Sequence, residues 1–65
     1  MMFKVSIQGK QDKVIFSGTF ITTMEAIDLA SAFSKAVLIA KEMEIIEQKN
    51  GGNRKFWVDR IEVSP

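Results

Sequence analysis

From Thr23 to Lys49 the sequence contains neither glycine nor proline, and this stretch fills about two fifths of a 65-residue chain. A run of that length without a breaker, built largely from Ala, Leu, Ile, Met, Lys and Glu, predicts a single long helix. Thr22 followed three residues later by Glu25 has the spacing of a capping box, in which hydroxyl and carboxylate satisfy each other's orphan backbone donors. Asn50-Gly51-Gly52-Asn53 then supplies residues that tolerate the left-handed conformation at a helix end. The expected helix is therefore 23–49.

What flanks it reads as strand. Phe3, Val5 and Ile7 alternate with polar residues over 3–8, Gly9 to Asp12 carry turn chemistry, and Lys13 to Ile21 form a second run rich in β-branched and aromatic residues. A connection that short predicts a hairpin. Gly18, inside the second run, predicts a bulge or a close backbone approach. A third strand spans Arg54 to Val63 ahead of a Ser64-Pro65 tail.

The fold class that follows is α+β: strand, strand, helix, strand along the chain, in one small domain over 1–65. The helix must bury its apolar side across one sheet face. A helix crossing back returns the third strand parallel to the second, so it pairs with the first, giving an antiparallel sheet of spatial order 2-1-3.

Two mismatches point to a partner. A helix of 27 residues would span roughly 40 Å, against less than about 30 Å for a strand of eight or nine residues, so an overhang of one or two turns is expected. Around the helix, Ala26, Leu29, Ala30, Phe33, Ala36, Val37, Ala40 and Met43 gather as a sheet-facing stripe, which turns polar at Glu44, Glu47 and Gln48. Ile27, Leu38 and Ile45 form a second line on the far side, with the small Ser31 and Ser34 between them and Ile39 and Ile46 beside it. One sheet cannot cover both lines. The second line is expected to meet another copy of the chain, as a homodimer or higher homo-oligomer, so that Leu38→Glu or Ile45→Glu would dissociate the assembly. Scattered exposed Ile and Leu on an ordinary monomer is the alternative.

The last strand leaves a choice open. By simple alternation Trp57, Ile61 and Val63 share one face, and Phe56 and Val58 share the other with Arg60 and Glu62. Either a bulge near Asp59 switches the parity, or Phe56 and Val58 lie on the outer sheet face.

Composition narrows the chemistry. The chain has no cysteine and no histidine, which excludes disulfides and the usual zinc sites and removes the commonest general base and the thiol nucleophile. There is no nucleophile elbow and no phosphate-cradling glycine loop, and Gly51-Gly52 follows a helix rather than opening one. The expectation is no enzyme, no cofactor and no metal. Glu42, Glu44 and Glu47 read as a solvated or partner-facing helix end. The longest apolar run, Ala36 to Ala40, is far short of a membrane span, and with no signal sequence in view the expected location is cytoplasmic, without membrane association.

Net charge is only +1, yet it is unevenly spread: residues 1–22 carry three Lys against one acid, 23–50 three Lys against five acids, and 51–65 three basic residues against two acids. Lys4, Lys13, Arg54, Lys55 and Arg60, with Phe56 or Trp57 among them, suggest a mildly basic sheet face of the kind on which some proteins stack single-stranded nucleic acid. The favoured reading is a small non-enzymatic interaction module, a homo-oligomeric regulator, inhibitor or adaptor that binds another protein or macromolecule through its long helix or exposed sheet. Nucleic-acid binding is the alternative. The size also suits the accessory proteins of phages and plasmids.

Overall fold

The computed structural model describes residues 1–10 and 17–64. Strand β1 (Met2–Lys10) lies at the centre of a three-stranded sheet, between β2 (Ser17–Glu25) and β3 (Lys55–Val63), and both pairings are antiparallel. One helix, α1 (Leu29–Lys49), packs on one face. The expected fold class and spatial order are those observed. The molecule is thin, 36 × 22 × 14 Å, because it has only two layers.

The helix is shorter than the sequence suggests. Thr22 to Glu25 continue β2, where Thr22 pairs with Val5 and Met24 with Phe3, so the capping-box spacing is not used. Two consecutive threonines next to Ile21 favour the pleated surface over a helical first turn. The cap is Asp28, whose Oδ1 accepts the Ser31 N–H at 2.8 Å. The Ser31 N–H, and after it the Ser31 hydroxyl, hold this carboxyl below its ordinary value of 3.8. At the other end Gly51 has φ +80°, the Gly51 N–H donates to Gln48 O and the Gly52 N–H to Glu47 O, a Schellman termination that needs a residue free of the Cβ penalty. With 21 residues at about 1.5 Å each, α1 is about as long as a nine-residue strand at about 3.3 Å per residue. The expected overhang is absent.

The helix is also turned. Its buried residues are Ala32, Ala36 and Ala40, a stripe centred about 50° from the expected one at ~100° per residue. The sheet explains this. Phe3, Val5 and Ile7 are fully buried and fill the inner layer, each contributing roughly 1.5–3 kcal/mol, and the smallest helix side chains are the ones that fit against them. Leu29 and Phe33 are displaced toward β3, and Met43 and Ile39 pack against the same core from the other flank. Ala26 precedes the helix and is buried in the connection, its N–H bonded to Met1 O while the Met1 amino group donates to Ala26 O.

The choice in β3 is resolved by a bulge. Ser6 pairs with Arg60 but Ile7 pairs with Val58, so Asp59 is the extra residue. Phe56, Val58 and Ile61 consequently all pack on the helix side. Trp57, opposite Gln8, goes to the outer face. Among the described residues nothing lies within 4 Å of where a Gly18 Cβ would be, so none of them makes a close approach there. The glycine that is needed is Gly9, where a Cβ would stand 2.6 Å from the Phe56 ring. The strand residues expected over 13–16 and the turn residues Gln11 and Asp12 lie outside the described residues.

Candidate interaction surface

Two layers leave most side chains one side to the solvent, and the exposed groups sort into three surfaces. The first is the open face of the sheet. Register and alternation place Lys4, Ser6, Gln8 and Lys10 of β1 there, flanked by Thr19, Ile21 and Thr23 of β2 and by Lys55, Trp57, Arg60 and Glu62 of β3. Lys10 stands directly opposite Lys55, a like-charge cross-strand pair that costs stability unless an anion lies nearby. Trp57 is the next residue along, 43% exposed. Arg60 Nη1 bonds Glu62 Oε1 at 3.2 Å, an exposed pair that contributes little to folding.

Two residues of the sequence-based set lie elsewhere, and one that the set omits belongs on this face. Phe56 is not on the basic face; its ring lies over Gly9 on the core side, and Trp57 takes the outward position. Arg54 lies toward the helix side, near Gly9, Gly18, Phe20 and Met43. Lys13 is outside the described residues. Lys10, read as part of a turn, belongs to β1, and its place beside Trp57 follows only once the Asp59 bulge fixes the register of β3.

The second surface is the outer side of α1. Leu38, 60% exposed, and Ile45 run along it with Ser34, one helical repeat apart. Ile46 is exposed on the flank toward β2, and Ile39, beside it, is half-buried against the protein's own core. Ile27 is not on the helix at all; it stands in the β2–α1 connection, 84% exposed, near Ser31 and Lys35. The Lys35 Nζ donates to Glu25 O at 2.9 Å and ties α1 to the end of β2. The expected line of seven residues is thus divided between the back of the helix, one flank and a loop.

The third surface runs along the edge of β3, where the helix overlies β3 and β1 more than β2. Leu29 and Phe33, 57% and 52% exposed, line a groove with Ala30, Val58 and Ile61, and Asp59 and Arg60 form its rim. Farther along, Glu44 Oε1 accepts the Phe56 N–H at 2.9 Å. That contact explains why the apolar stripe turns polar there: Glu44 satisfies a backbone donor of an edge strand, and Glu47 lies over Gly52.

Among the described residues no group of three or more acidic side chains is placed to hold a metal, and no helix is long and apolar enough to cross a membrane. No known protein family, curated protein or solved structure matches the chain.

Proposed function

We propose that the chain is a non-enzymatic interaction module that works as a homo-oligomer and serves another macromolecule as a small regulator, inhibitor or adaptor. The observation that carries this reading is the apolar surface its own sheet does not cover. Leu29, Phe33, Leu38, Ile45 and Ile46 are all more than half exposed on one helix, whereas that helix buries only three alanines completely or nearly so. Single exposed apolar residues are ordinary; five on one 21-residue element, spread over the β3 flank, the back and the opposite flank of the helix, leave more apolar surface uncovered than one sheet face can reach. A domain of this size gains little stability from its own core, and a second copy supplies the missing burial. Sedimentation equilibrium at micromolar concentration is expected to give at least twice the 7.3 kDa chain mass. A single 7.3 kDa species throughout would overturn the reading.

A second reading rests on the Lys10–Lys55 pair beside Trp57. Facing lysines next to an exposed aromatic suit a phosphate backbone with a base stacked on the indole. Trp57 is the only tryptophan, so its fluorescence reports directly on this face. Titration with a single-stranded oligonucleotide is expected to quench it at low salt and less at moderate salt, with the effect lost in Lys10→Glu and Lys55→Glu. Fluorescence unchanged at tens of micromolar oligonucleotide would dispose of nucleic acid as the partner.

A further inference from the structure

We propose that the free edge of β3 is where two copies of this chain join, strand against strand, in an antiparallel register that sets Asp59 of each copy opposite Arg60 of the other. This names the surface for the self-association proposed above and rests on that reading.

The backbone directions come first. Among the described residues β3 has β1 on one side and no strand on the other. Phe56 turns its N–H away from β1, to Glu44 Oε1, whereas Ser64 turns its N–H toward β1, donating to Met2 O at 2.8 Å. Backbone groups alternate between the two edges of a strand. Counting forward from Phe56 and back from Ser64, with the bulge between, Phe56, Val58, Ile61 and Val63 present their backbone groups to the open edge and their side chains to the helix side.

The bulge then determines how such an edge can pair with itself. Residues facing each other in an antiparallel ladder lie on the same face of the sheet. In a regular strand they have the same parity, so the twofold axis of a self-pairing passes through a residue. Asp59 changes the count: the helix-facing residues are even-numbered before it and odd-numbered after it. The register that matches all four sets Phe56 opposite Val63 and Val58 opposite Ile61, with the backbone bonds carried by the central Val58 and Ile61 pairs because the Phe56 N–H is already taken by Glu44 Oε1, and its axis falls between residues 59 and 60. That register brings an acid opposite a base twice, once on each side of the axis. It also keeps Trp57 and Glu62 together on the open face.

The surroundings agree. Leu29 and Phe33 overlook this edge from the helix, and a second copy related by that axis sets its own Leu29 and Phe33 beside them, covering the groove against β3. The result is a six-stranded sheet, with the two helices side by side on one face. The β2 edge offers no equivalent match: Ser17–Glu25 carries a single charged residue, Glu25, so self-pairing there brings no opposite charges together. The back of α1 offers only the narrow Leu38 and Ile45 seam.

The test is a charge exchange at two exposed positions. Asp59→Arg alone sets arginines opposite each other at both contacts, and Arg60→Asp alone sets aspartates. Each variant is expected to self-associate at least roughly tenfold more weakly than the unmodified chain. An equimolar mixture of the two restores both pairs and is expected to recover the dimer, as is the double variant Asp59→Arg/Arg60→Asp. Far-UV circular dichroism of each chain reports whether it folds, and the mixture and the double variant separate charge repulsion from damage to the bulge. Leu38→Glu is expected to leave the dimer intact. An unmodified chain that is monomeric throughout would remove self-association itself. If the unmodified chain assembles and both single variants do so undiminished, or if the mixture and the double variant stay monomeric, self-association survives and the β3 edge is the wrong surface.

Discussion

Ala36→Glu is expected to abolish the cooperative thermal transition, leaving a chain that circular dichroism reports as largely unfolded at 25 °C. Ala36 has no exposure and belongs to the core cluster of Val5, Ile7 and Ala40, against which Ile39, Met43, Phe56 and Val58 pack. No polar or charged residue is buried among the described residues, and an uncompensated buried charge costs several kcal/mol. A single core in a chain this small rarely supplies more than about 3–5 kcal/mol, so one such charge exceeds what the fold can absorb. Leu38→Glu, two residues on, is the control: Leu38 is on the solvent side, and surface substitutions usually stay within about 0.5 kcal/mol. A cooperative melt of Ala36→Glu within a few degrees of the unmodified chain would show that the alanine stripe does not face the sheet.

The second large effect is at Gly9, where the expected sign runs against propensity. Alanine in a strand interior ordinarily improves on glycine, because it loses less conformational freedom on folding. Here its Cβ would fall 2.6 Å and 2.9 Å from two atoms of the Phe56 ring, a rigid plane held from behind by its own strand and by the Glu44 contact to its backbone. Gly9→Ala is therefore expected to destabilise by about 1–3 kcal/mol, the ordinary cost of overpacking. The collision is specific to one neighbour, so a double-mutant cycle checks it. With Phe56→Leu in the background, Gly9→Ala should cost less by at least about 0.5 kcal/mol. Additive effects in urea denaturation would show that the ring does not occupy the space over Gly9.

Much of the architecture was legible because it depends on periodicity. The alternation of Phe3, Val5 and Ile7, the breaker-free helical stretch and the one arrangement that closes a strand-strand-helix-strand order into an antiparallel sheet need no tertiary information. The helix start was not legible. Thr22 and Glu25 satisfy a local capping pattern as well as Asp28 and Ser31 do, and the decision between them comes from pairing with Val5 and Phe3, contacts far away in sequence. The orientation of the helix was misread for a related reason: hydrophobicity around its axis favours Leu29 and Phe33, whereas the space left by Phe3, Val5 and Ile7 favours alanine. Size complementarity, not hydrophobicity, chose the buried stripe.

The exposed surfaces divide in the same way. Leu38 and Ile45 could be placed on the outer side of the helix from spacing alone, and their exposure agrees. Trp57 could not be placed, because its face depends on whether the strand contains an extra residue, and the sequence carries a bulge at Asp59 without glycine to mark it. Lys10 was missed because a glycine beside it reads as a turn; Gly9 is present for the ring above it rather than for backbone freedom.

The bulge also gives β3 two possible reading frames, and residue 59 selects between them. Were Asp59 drawn into the ladder opposite Ile7 rather than bulged out, with the pairing of Ile61 with Val5 retained, Trp57 would turn inward to the helix and Phe56 and Val58 outward to water. The indole would replace the Phe56 ring over the core, and the open face would exchange its one tryptophan for a phenylalanine and a valine. The bulge thus decides which aromatic residue is structural and which is displayed, while strand order and helix stay the same, and deleting Asp59 would leave every other β3 residue on the face it now occupies.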